Sequence, residues 1–455
     1  MLSYIQALPS EILGEIFIAC LPEHDVDRIQ PTQAPMLHML LCQICSGWRS
    51  LAMGNSFLWD TIVLPSEENE EEEGKLGQFV SSGGVQRWFG LTSPGHLLSF
   101  GEEGFGLGNE DPMVQITILS IVSTYASRLK HLSLVLYHSH YFALLDGVHF
   151  EELESVSVHS STDALDLGRM RTPFNSESSP KLREASFSLI DILPLAIDLP
   201  WGQLTIIDAG LPYGRPLAFP DWRAFWTQCP NIKQATFVLP WEFTRRHSNV
   251  DAFSYPSLTK LTLVIPPSPL RMKRKEKWTI FARPAAFTNL EHLQLNLCYG
   301  REPPKPLLHR LEAFSKLKSI TIQGCNSFDD DSLEYPMEAK ALAHDLDKQF
   351  HSLRSLNHLF MPYHYMDSND IASLLHSHSP TSGYPGLNVT IDAGSIENVG
   401  IWKRKLEGER FSSIASRVEL VSWEQNVIYS GHLASRSVSA SSAQFASNYA
   451  KLPFH

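Results

Sequence analysis

The chain has 455 residues, enough for two or three domains, and 43% of them are apolar, which supports a sizeable buried core. Charged residues make up only 19%, which argues against wholesale disorder, and the net charge of −12 disfavours general nucleic-acid binding, which needs a basic surface. Six scattered cysteines argue against a disulfide framework, so we expect a reducing compartment, the cytoplasm or the nucleus. No apolar segment has the length of a membrane span, and we expect no membrane partner.

The segment LPSEILGEIFIACL, residues 8–21, predicts an amphipathic helix. Pro9 suits the first helical turn, and Glu11 and Glu15 place negative charge near the positive end of the helix dipole. A signal peptide is disfavoured because no basic residue precedes the apolar part and two glutamates interrupt it. We therefore expect this helix to pack on the rest of the chain or on a partner. Its apolar stripe consists of Ile12, Leu13, Ile16, Phe17, Cys20 and Leu21.

A second helix is predicted in residues 34–54, followed by a break at Gly54-Asn55 and a strand at 61–64. Cys42 and Cys45 lie in this helix, and we interpret them as buried thiols because no second cysteine pair has the spacing of a zinc site. The apolar residues with helical spacing are Leu37, Leu40, Leu41, Ile44, Cys45, Trp48, Leu51 and Ala52.

These segments together resemble an F-box domain, of the kind found in large families of fungal F-box proteins. The resemblance covers about residues 5–60. It departs from the family at Asn55-Ser56-Phe57, where many relatives have a proline before the final Leu-Trp step. The matching residues are Leu8-Pro9, Glu11-Ile12-Leu13, Ile16-Phe17, Ile44-Cys45, Trp48-Arg49 and Leu58-Trp59.

The resemblance implies a three-helix F-box unit over residues 1–64 that binds the Skp-type adaptor of an SCF (cullin-RING) ubiquitin ligase, and through it a cullin. Sixty residues make only a small core, so leftover apolar surface would be covered by that partner. The alternative is that the helices pack only on the rest of the chain. The residues expected to bind the adaptor are Leu8, Pro9, Ile12, Leu13, Ile16, Phe17, Ile44, Trp48, Leu58 and Trp59.

Residues 65–112 are acidic and rich in glycine, and they predict a linker with one helix or strand around Val85–Phe89. The glutamate run EENEEEE at 67–73 predicts a solvated loop. At the other end of the chain, residues 429–455 are rich in serine and alanine and predict a polar, frayed tail.

A degenerate repeat occupies residues 113–428 and resembles leucine-rich repeats. An apolar pattern of positions i, i+3 and i+5 recurs about every 28 residues, against a leucine-rich repeat length of ~20–29. Two copies end in the cysteine typical of such repeats, Cys298 and Cys325. The nine copies are Leu129-Leu132-Leu134, Leu153-Val156-Val158, Leu182-Ala185-Phe187, Leu204-Ile207-Ala209, Ile232-Ala235-Phe237, Leu258-Leu261-Leu263, Leu290-Leu293-Leu295, Leu317-Ile320-Ile322 and Leu356-Leu359-Met361.

We therefore expect an α/β fold in which the F-box unit precedes an irregular solenoid with a parallel sheet and helices between its strands, for example at 332–353. The alternative is an ordinary α/β domain whose strands happen to look alike. Residues between the apolar positions point to the opposite face of the sheet, where solenoids usually bind. The alternative, residue by residue, is that these positions are merely solvated. The residues expected to bind a target protein are Lys260, Thr262, His292, Gln294, Asn296, Thr321 and Gln323.

The sequence contains no motif that predicts catalysis, a cofactor or a metal. GFGLGN at 104–109 lacks the Lys-Ser/Thr ending of a phosphate loop, and the basic run RMKRKEK at 271–277 is interpreted as an exposed loop rather than a nuclear signal or a contact for an acidic partner. The histidine pairs His138/His140 and His376/His378 have no acid or cysteine at ligand spacing, so we interpret them as loop residues.

The predicted function is that of a substrate receptor without catalytic activity. The F-box would bind the adaptor, and the repeat would hold a target protein close to the ubiquitin-transfer machinery. One alternative is a non-catalytic interaction scaffold without a ligase role. Another is an enzyme whose site is assembled from residues distant in sequence.

Overall fold

The computed structural model describes residues 8–21, 37–64, 75–102, 112–136, 139–160, 172–188, 198–209, 227–238, 257–265, 287–298, 314–325, 355–362, 368–377, 386–392, 396–406, 415–422 and 427–428. The chain divides into two compact units, Met1–Ile207 and Asp208–His455. Several predictions lie outside the described residues: the glutamate run, the GFGLGN segment, the basic run, the helix at 332–353, the polar tail, and the positions of His138 and His378.

The first unit begins with helices α1 (Ser10–Ala19), α2 (Leu37–Ile44) and α3 (Ser46–Gly54), followed by a 3₁₀ turn at Ser56–Leu58. The prediction of α1 is confirmed. The prediction of one continuous helix over residues 37–54 was wrong, because Cys45 is extended between α2 and α3. Ser46 and Gly47 are weak helix formers, and the Cys45 Sγ accepts a hydrogen bond from the Trp48 N–H at 3.4 Å, which caps α3.

The sheet of the first unit contains strands β1 (Thr61–Leu64), β2 (Leu98–Glu102), β3 (Leu129–Leu136), β4 (Ser155–Ser160), β5 (Glu184–Ser188) and β6 (Ile206–Ala209). Strands β1 to β5 pair in chain order and are all parallel. Helices α4 (Lys75–Ser81) and α5 (Gly84–Phe89) lie between β1 and β2, and α6 (Pro112–Tyr125) lies between β2 and β3. Further 3₁₀ turns span Ala126–Arg128, Ser139–Leu145 and Trp201–Gln203.

Residues 65–112, which predicted a linker, therefore contain α4, α5 and a strand of the sheet. The element expected around Val85–Phe89 is the helix α5. The glycines of this region made its helices and strand look like a linker in the sequence. Gly83 turns the chain with a φ of 77°, and Gly84 lies so close to the Phe79 ring that a Cβ would collide with it. The sheet begins at β1, inside the predicted F-box boundary, and not at residue 113.

The second unit contains β7 (Gln234–Val238), β8 (Lys260–Ile265), β9 (His292–Cys298), β10 (Ser319–Cys325), β11 (His358–Pro362), β12 (Asn388–Asp392), β13 (Val418–Ser422) and β14 (Val427–Ile428). Strands β7 to β13 pair in chain order and are parallel, and β14 is antiparallel to β13. Helices α7 (Ser368–Ser377) and α8 (Ile396–Leu406) connect β11 to β12 and β12 to β13, and a 3₁₀ turn spans Ala415–Arg417.

The repeated apolar pattern forms the core of both units. Each of the nine predicted copies leads into a strand, from β3 to β11, and every side chain at the pattern positions is buried except Ala209, which is half-buried. The predicted α/β fold with a parallel sheet is confirmed. Parallel strands paired in chain order are the arrangement expected of a solenoid.

A recurring backbone bond keeps successive coils in phase. The carbonyl after the first apolar position accepts two N–H groups from the next coil, as where Glu291 O accepts from Lys318 N at 2.7 Å and Ser319 N at 3.0 Å. This register aligns equivalent side chains into rows across the strands. The other carbonyls bonded in this way belong to Glu154, Arg183, Lys233, Thr259 and Lys318.

Within the described residues, no helix combines the length and the apolar character needed to cross a bilayer.

Candidate functional site

Helix α1 has apolar side chains on both of its faces. Leu13 and Phe17 face the core, and the Phe17 ring is completely buried with its centroid 4.8 Å from that of Trp48. Leu8, Ile12 and Ile16 are 38%, 48% and 41% exposed. Ile12 and Ile16 are one turn apart on α1, and Leu8 lies just before the helix begins at Ser10; we name these three residues the α1 ridge. An exposed apolar ridge on a helix is a candidate contact surface for a partner.

Helix α2 repeats this division between core and surface. His38, Leu41 and Cys42 are buried, whereas Met39, Leu40 and Ile44 are exposed, Ile44 by 58%. The buried His38 ring packs against two neighbouring indoles, with its centroid 5.5 Å from that of Trp59 and 5.2 Å from that of Trp88. Both α1 and α2 therefore carry large exposed apolar side chains.

The ten residues predicted to bind the adaptor divide by burial. Leu8, Pro9, Ile12, Ile16 and Ile44 are exposed, and Trp48 is half-buried. Leu13, Phe17, Leu58 and Trp59 are buried within the chain itself. Trp59 shows the reason: its indole Nε1 donates to Ala52 O at 2.7 Å, which commits the ring to the interior. Met39 is also exposed but was not predicted to bind a partner. Its position outside the predicted apolar stripe of the helix could have indicated that it is exposed.

The N-terminal helices are fixed to the sheet of the first unit. The Trp59 ring lies 4.7 Å from the Trp88 ring of α5, and Asp60 Oδ2 lies 3.0 Å from His96 Nε2. Arg128, just before β3, ties the loop ahead of β2, because its guanidinium donates to His96 O at 2.9 Å, to Thr92 Oγ1 at 2.6 Å and to Ser93 O at 2.9 Å. Helices, loop and sheet thus share one network of contacts.

The second candidate surface is the polar face of the sheet in the second unit. Strand register aligns one row of side chains that can all donate hydrogen bonds, and we name it the donor row. No carboxylate belongs to it. Its members, from β7 to β12, are Gln234, Lys260, His292, Ser319, His358 and Asn388.

Amide groups occupy the neighbouring rows. Gln294 Nε2 donates to Asn296 Oδ1 at 2.9 Å and to Gln323 Oε1 at 2.8 Å, across β9 and β10. Among the predicted target-binding residues, Thr262 and Gln294 are buried, His292 is exposed, and the rest are half-buried: Lys260, Asn296, Thr321 and Gln323. These amide groups therefore hydrogen-bond mainly to one another, and the polar groups available to a ligand are those of the donor row.

Two histidines of the donor row flank Ser319. His292 Nδ1 lies 2.7 Å from Ser319 Oγ, and burial lowers the pKa of His292 more than Glu291 raises it, with Lys260 and Lys318 lowering it further. His358 Nε2 lies 3.1 Å from Thr390 Oγ1, which in turn donates to Glu419 Oε2 at 3.1 Å. Because the Thr390 hydroxyl donates to the carboxylate, it accepts from His358 Nε2, which fixes that proton on Nε2.

Burial also lowers the pKa of His358, although Glu419 opposes this and His292 adds to it. The closest carboxylate to His292, Glu291, is engaged by Lys318 Nζ at 2.8 Å. Lys260 has no ion pair within the described stretches of the chain, which leaves it as a cation open to a ligand.

Groups with metal-binding or thiol chemistry lie elsewhere. Within the part of the chain that the structure describes, no three His, Cys, Asp or Glu side chains converge as metal ligands. His140 is exposed, with its ring centroid 4.5 Å from that of Tyr141, and His376 is exposed in the last turn of α7. Both cysteines were predicted to be buried thiols. Cys42 is buried, whereas Cys45 is half-buried.

Comparison with known protein families finds none whose model matches the chain. Comparison with curated proteins finds no match either.

Proposed function

We propose that the chain is the substrate receptor of an SCF-type ubiquitin ligase, a fungal-type F-box protein with degenerate leucine-rich repeats. The first three helices would form the F-box and bind a Skp-type adaptor, and through it a cullin. The sheet would bind the target protein. The chain would supply proximity, and bond chemistry would belong to the ubiquitin-conjugating enzyme that the ligase recruits.

The observation that carries this proposal is the α1 ridge. Ile12 and Ile16 expose apolar surface on a helix whose other side fills a core with Leu13 and Phe17, and the exposed Leu8 lies just before that helix. The resemblance to F-box domains rests on the same stretch of sequence, so the exposed side chains and the family pattern coincide. Ile44 on α2 supplies a further exposed apolar side chain among the residues that the resemblance implicates.

The buried residues among those predicted to bind the adaptor would support the exposed ones. Phe17, Leu58 and Trp59 hold the helices in place and would orient the ridge without touching the adaptor. Contacts at the ridge would bury apolar area worth about 1.5–3 kcal/mol for each large side chain. Two isoleucines together therefore account for a loss in affinity of ~100-fold or more when they are replaced by charged residues.

The test is retention of the full chain on an immobilised Skp-type adaptor. We expect the wild type to be retained and Ile12→Asp/Ile16→Asp to be lost, because a charge on a docking surface is costly to desolvate. Met113→Asp is the matched control, since Met113 is 65% exposed on α6 of the same unit. Circular dichroism of all three proteins checks that they are folded. Retention of the double variant, or no retention of a folded wild type, would refute adaptor binding through the ridge.

The second candidate function is a non-catalytic interaction scaffold without a ligase role. The polar sheet face favours it equally, because target binding by that face needs no adaptor. Co-purification of the tagged chain with both adaptor and cullin separates the two functions. Adaptor without cullin in the eluate would favour the scaffold.

A further inference from the structure

Among the strand residues described on the polar face of the second unit, the donor row is the one row whose aligned side chains all offer protons. Lys260 carries a permanent charge, His292 and His358 can gain one, and Gln234, Ser319 and Asn388 donate as neutral groups. Neighbouring strands are about 4.8 Å apart, so the row runs over roughly 24 Å from β7 to β12. It is accessible, since His292 is 48% exposed at its side chain and Gln234 and Asn388 are exposed.

We propose that the donor row binds an acidic segment of a partner protein, through the carboxylates of successive glutamate or aspartate side chains. Charge complementarity supports this occupant: one unpaired lysine and two protonatable histidines face outward on three strands, and no carboxylate stands in the row. The inference deepens the proposed function, because it gives the chemistry of the target protein. It rests on the proposed function in one respect: that the protein with the acidic segment is a target of the ligase.

Spacing favours separate carboxylates over a single phosphate group. A phosphate is usually bound by arginine forks or by clustered cations that surround one dianionic group. Here the charges are spread along the row, one on each of β8, β9 and β11, with Ser319 between the two histidines. An acidic segment that crosses the strands would meet the donors one after another.

The groups around each histidine predict how binding depends on pH. Around His292 lie Lys260 of β8, Ser319 of β10, and Lys318 and Glu291, which directly precede β10 and β9. Around His358 lie His292 of β9, Thr390 of β12 and Glu419 of β13. Burial lowers the pKa of both histidines, so they are mainly neutral at neutral pH. A bound carboxylate raises the pKa of each, so binding takes up protons and acidification strengthens it.

The experiment measures fluorescence anisotropy of a labelled ten-residue peptide of alternating Glu and Ser with the full chain at low ionic strength. A peptide with Gln in place of Glu is the neutral control, because the chain is acidic overall and repels anions elsewhere. We expect binding of the Glu peptide alone, with an affinity that rises about fivefold or more from about pH 7.5 to about pH 6, the effect of roughly one additional unit charge.

Two sets of variants localise the effect. Lys260→Met should weaken binding about fivefold at both pH values, and His292→Gln/His358→Gln should abolish the pH dependence. Lys233→Met is the matched control, since this exposed lysine lies one strand away and outside the row, and it should change affinity less than twofold. No binding by the wild type, an equal loss in Lys233→Met, or an unchanged pH dependence in the double variant would overturn the proposal.

A phosphoserine peptide of the same net charge tests the choice of anion. Tighter binding of that peptide than of the Glu peptide would overturn the assignment to carboxylates. These titrations contain no adaptor, so a negative result would not bear on the proposed adaptor binding. Likewise, failure of the chain to be retained on the adaptor would not bear on peptide binding by the donor row.

Discussion

Among single residues, His159 links the stability of the first unit to pH. Its imidazole is buried on β4, and Nε2 lies 2.8 Å from Ser157 Oγ. Burial lowers the pKa of His159 to about 4, against an ordinary value of 6.5. Between these values the unfolded chain binds a proton that the folded chain does not bind. The free energy of unfolding therefore decreases as the pH falls through that window.

We expect His159→Gln to reduce this acid sensitivity, because glutamine can keep the contact with Ser157 but does not titrate. The measurement is urea unfolding, followed by circular dichroism, at about pH 7 and about pH 5, and the variant should lose less stability between them than the wild type does. His140→Gln, which removes an exposed histidine from the same unit, should behave as the wild type. Equal pH dependence of His159→Gln and the wild type would contradict the assignment.

Among whole elements, the repeated strands were predictable because each presents its buried side chains at fixed spacing. β9 is an example, since Leu290, Leu293 and Leu295 are all buried. Strands were missed where the first position is small, as at Gly95 before β2 and Gly386 before β12, because another side chain then fills the core. Leu387, completely buried beside Gly386, does so for β12. β1 was predicted as a strand at 61–64, but not as part of the repeat, because Trp59 occupies the first position of the pattern there and had been assigned to the F-box pattern.

The helices show the opposite limit of sequence reasoning. Periodicity predicted the stripe on α1, but it merged the core side chains with those of the ridge, because Ile12 and Leu13 are neighbours in sequence and differ only in direction. Burial separates them, since Phe17 is completely buried and Ile16 is 41% exposed. The donor row was likewise not visible from the sequence as a row, because it depends on the register of strands that lie 26 to 39 residues apart.

A pair of adjacent substitutions tests the two faces of α1. Phe17→Ala should lower the free energy of unfolding of the first unit by about 3–5 kcal/mol, because it removes a buried ring that packs on Trp48. Ile16→Ala should lower it by clearly less, about 1 kcal/mol, because 41% of Ile16 is exposed and its truncation opens no closed cavity. Urea unfolding measures both. Comparable losses in the two variants would mean that Ile16 also belongs to the core.

At the scale of the first unit as a whole, the N-terminal helices and the sheet share one fold. β1 follows the helices directly and pairs with β2, the Trp59 and Trp88 rings pack together, and Arg128 holds the intervening loop. A rigid connection matters for the proposed ligase role, because it fixes the distance between the proposed docking helices and the sheet of the first unit itself. The predicted linker at 65–112 would have left that distance variable.

Arg128→Met tests this connection. The substitution removes three hydrogen bonds to the loop at 92–96 and leaves carbonyl groups of Ser93 and His96 without their charged donor. Hydrogen bonds to charged groups contribute about 1.5–3 kcal/mol, so we expect the first unit to lose about 2 kcal/mol of stability. Hydrogen exchange should rise in the loop and in β1, β2 and α5 together, because these elements depend on the same contacts.

Arg87→Met is the control for that measurement, because the Arg87 guanidinium bonds only to Ser82 within its own turn among the contacts described for it. Its exchange increase should stay local to residues around α5. If Arg128→Met also raised exchange only in the loop, with β1 and β2 protected as in the wild type, the helices and the sheet would be stabilised independently. The chain between them would then act as a tether.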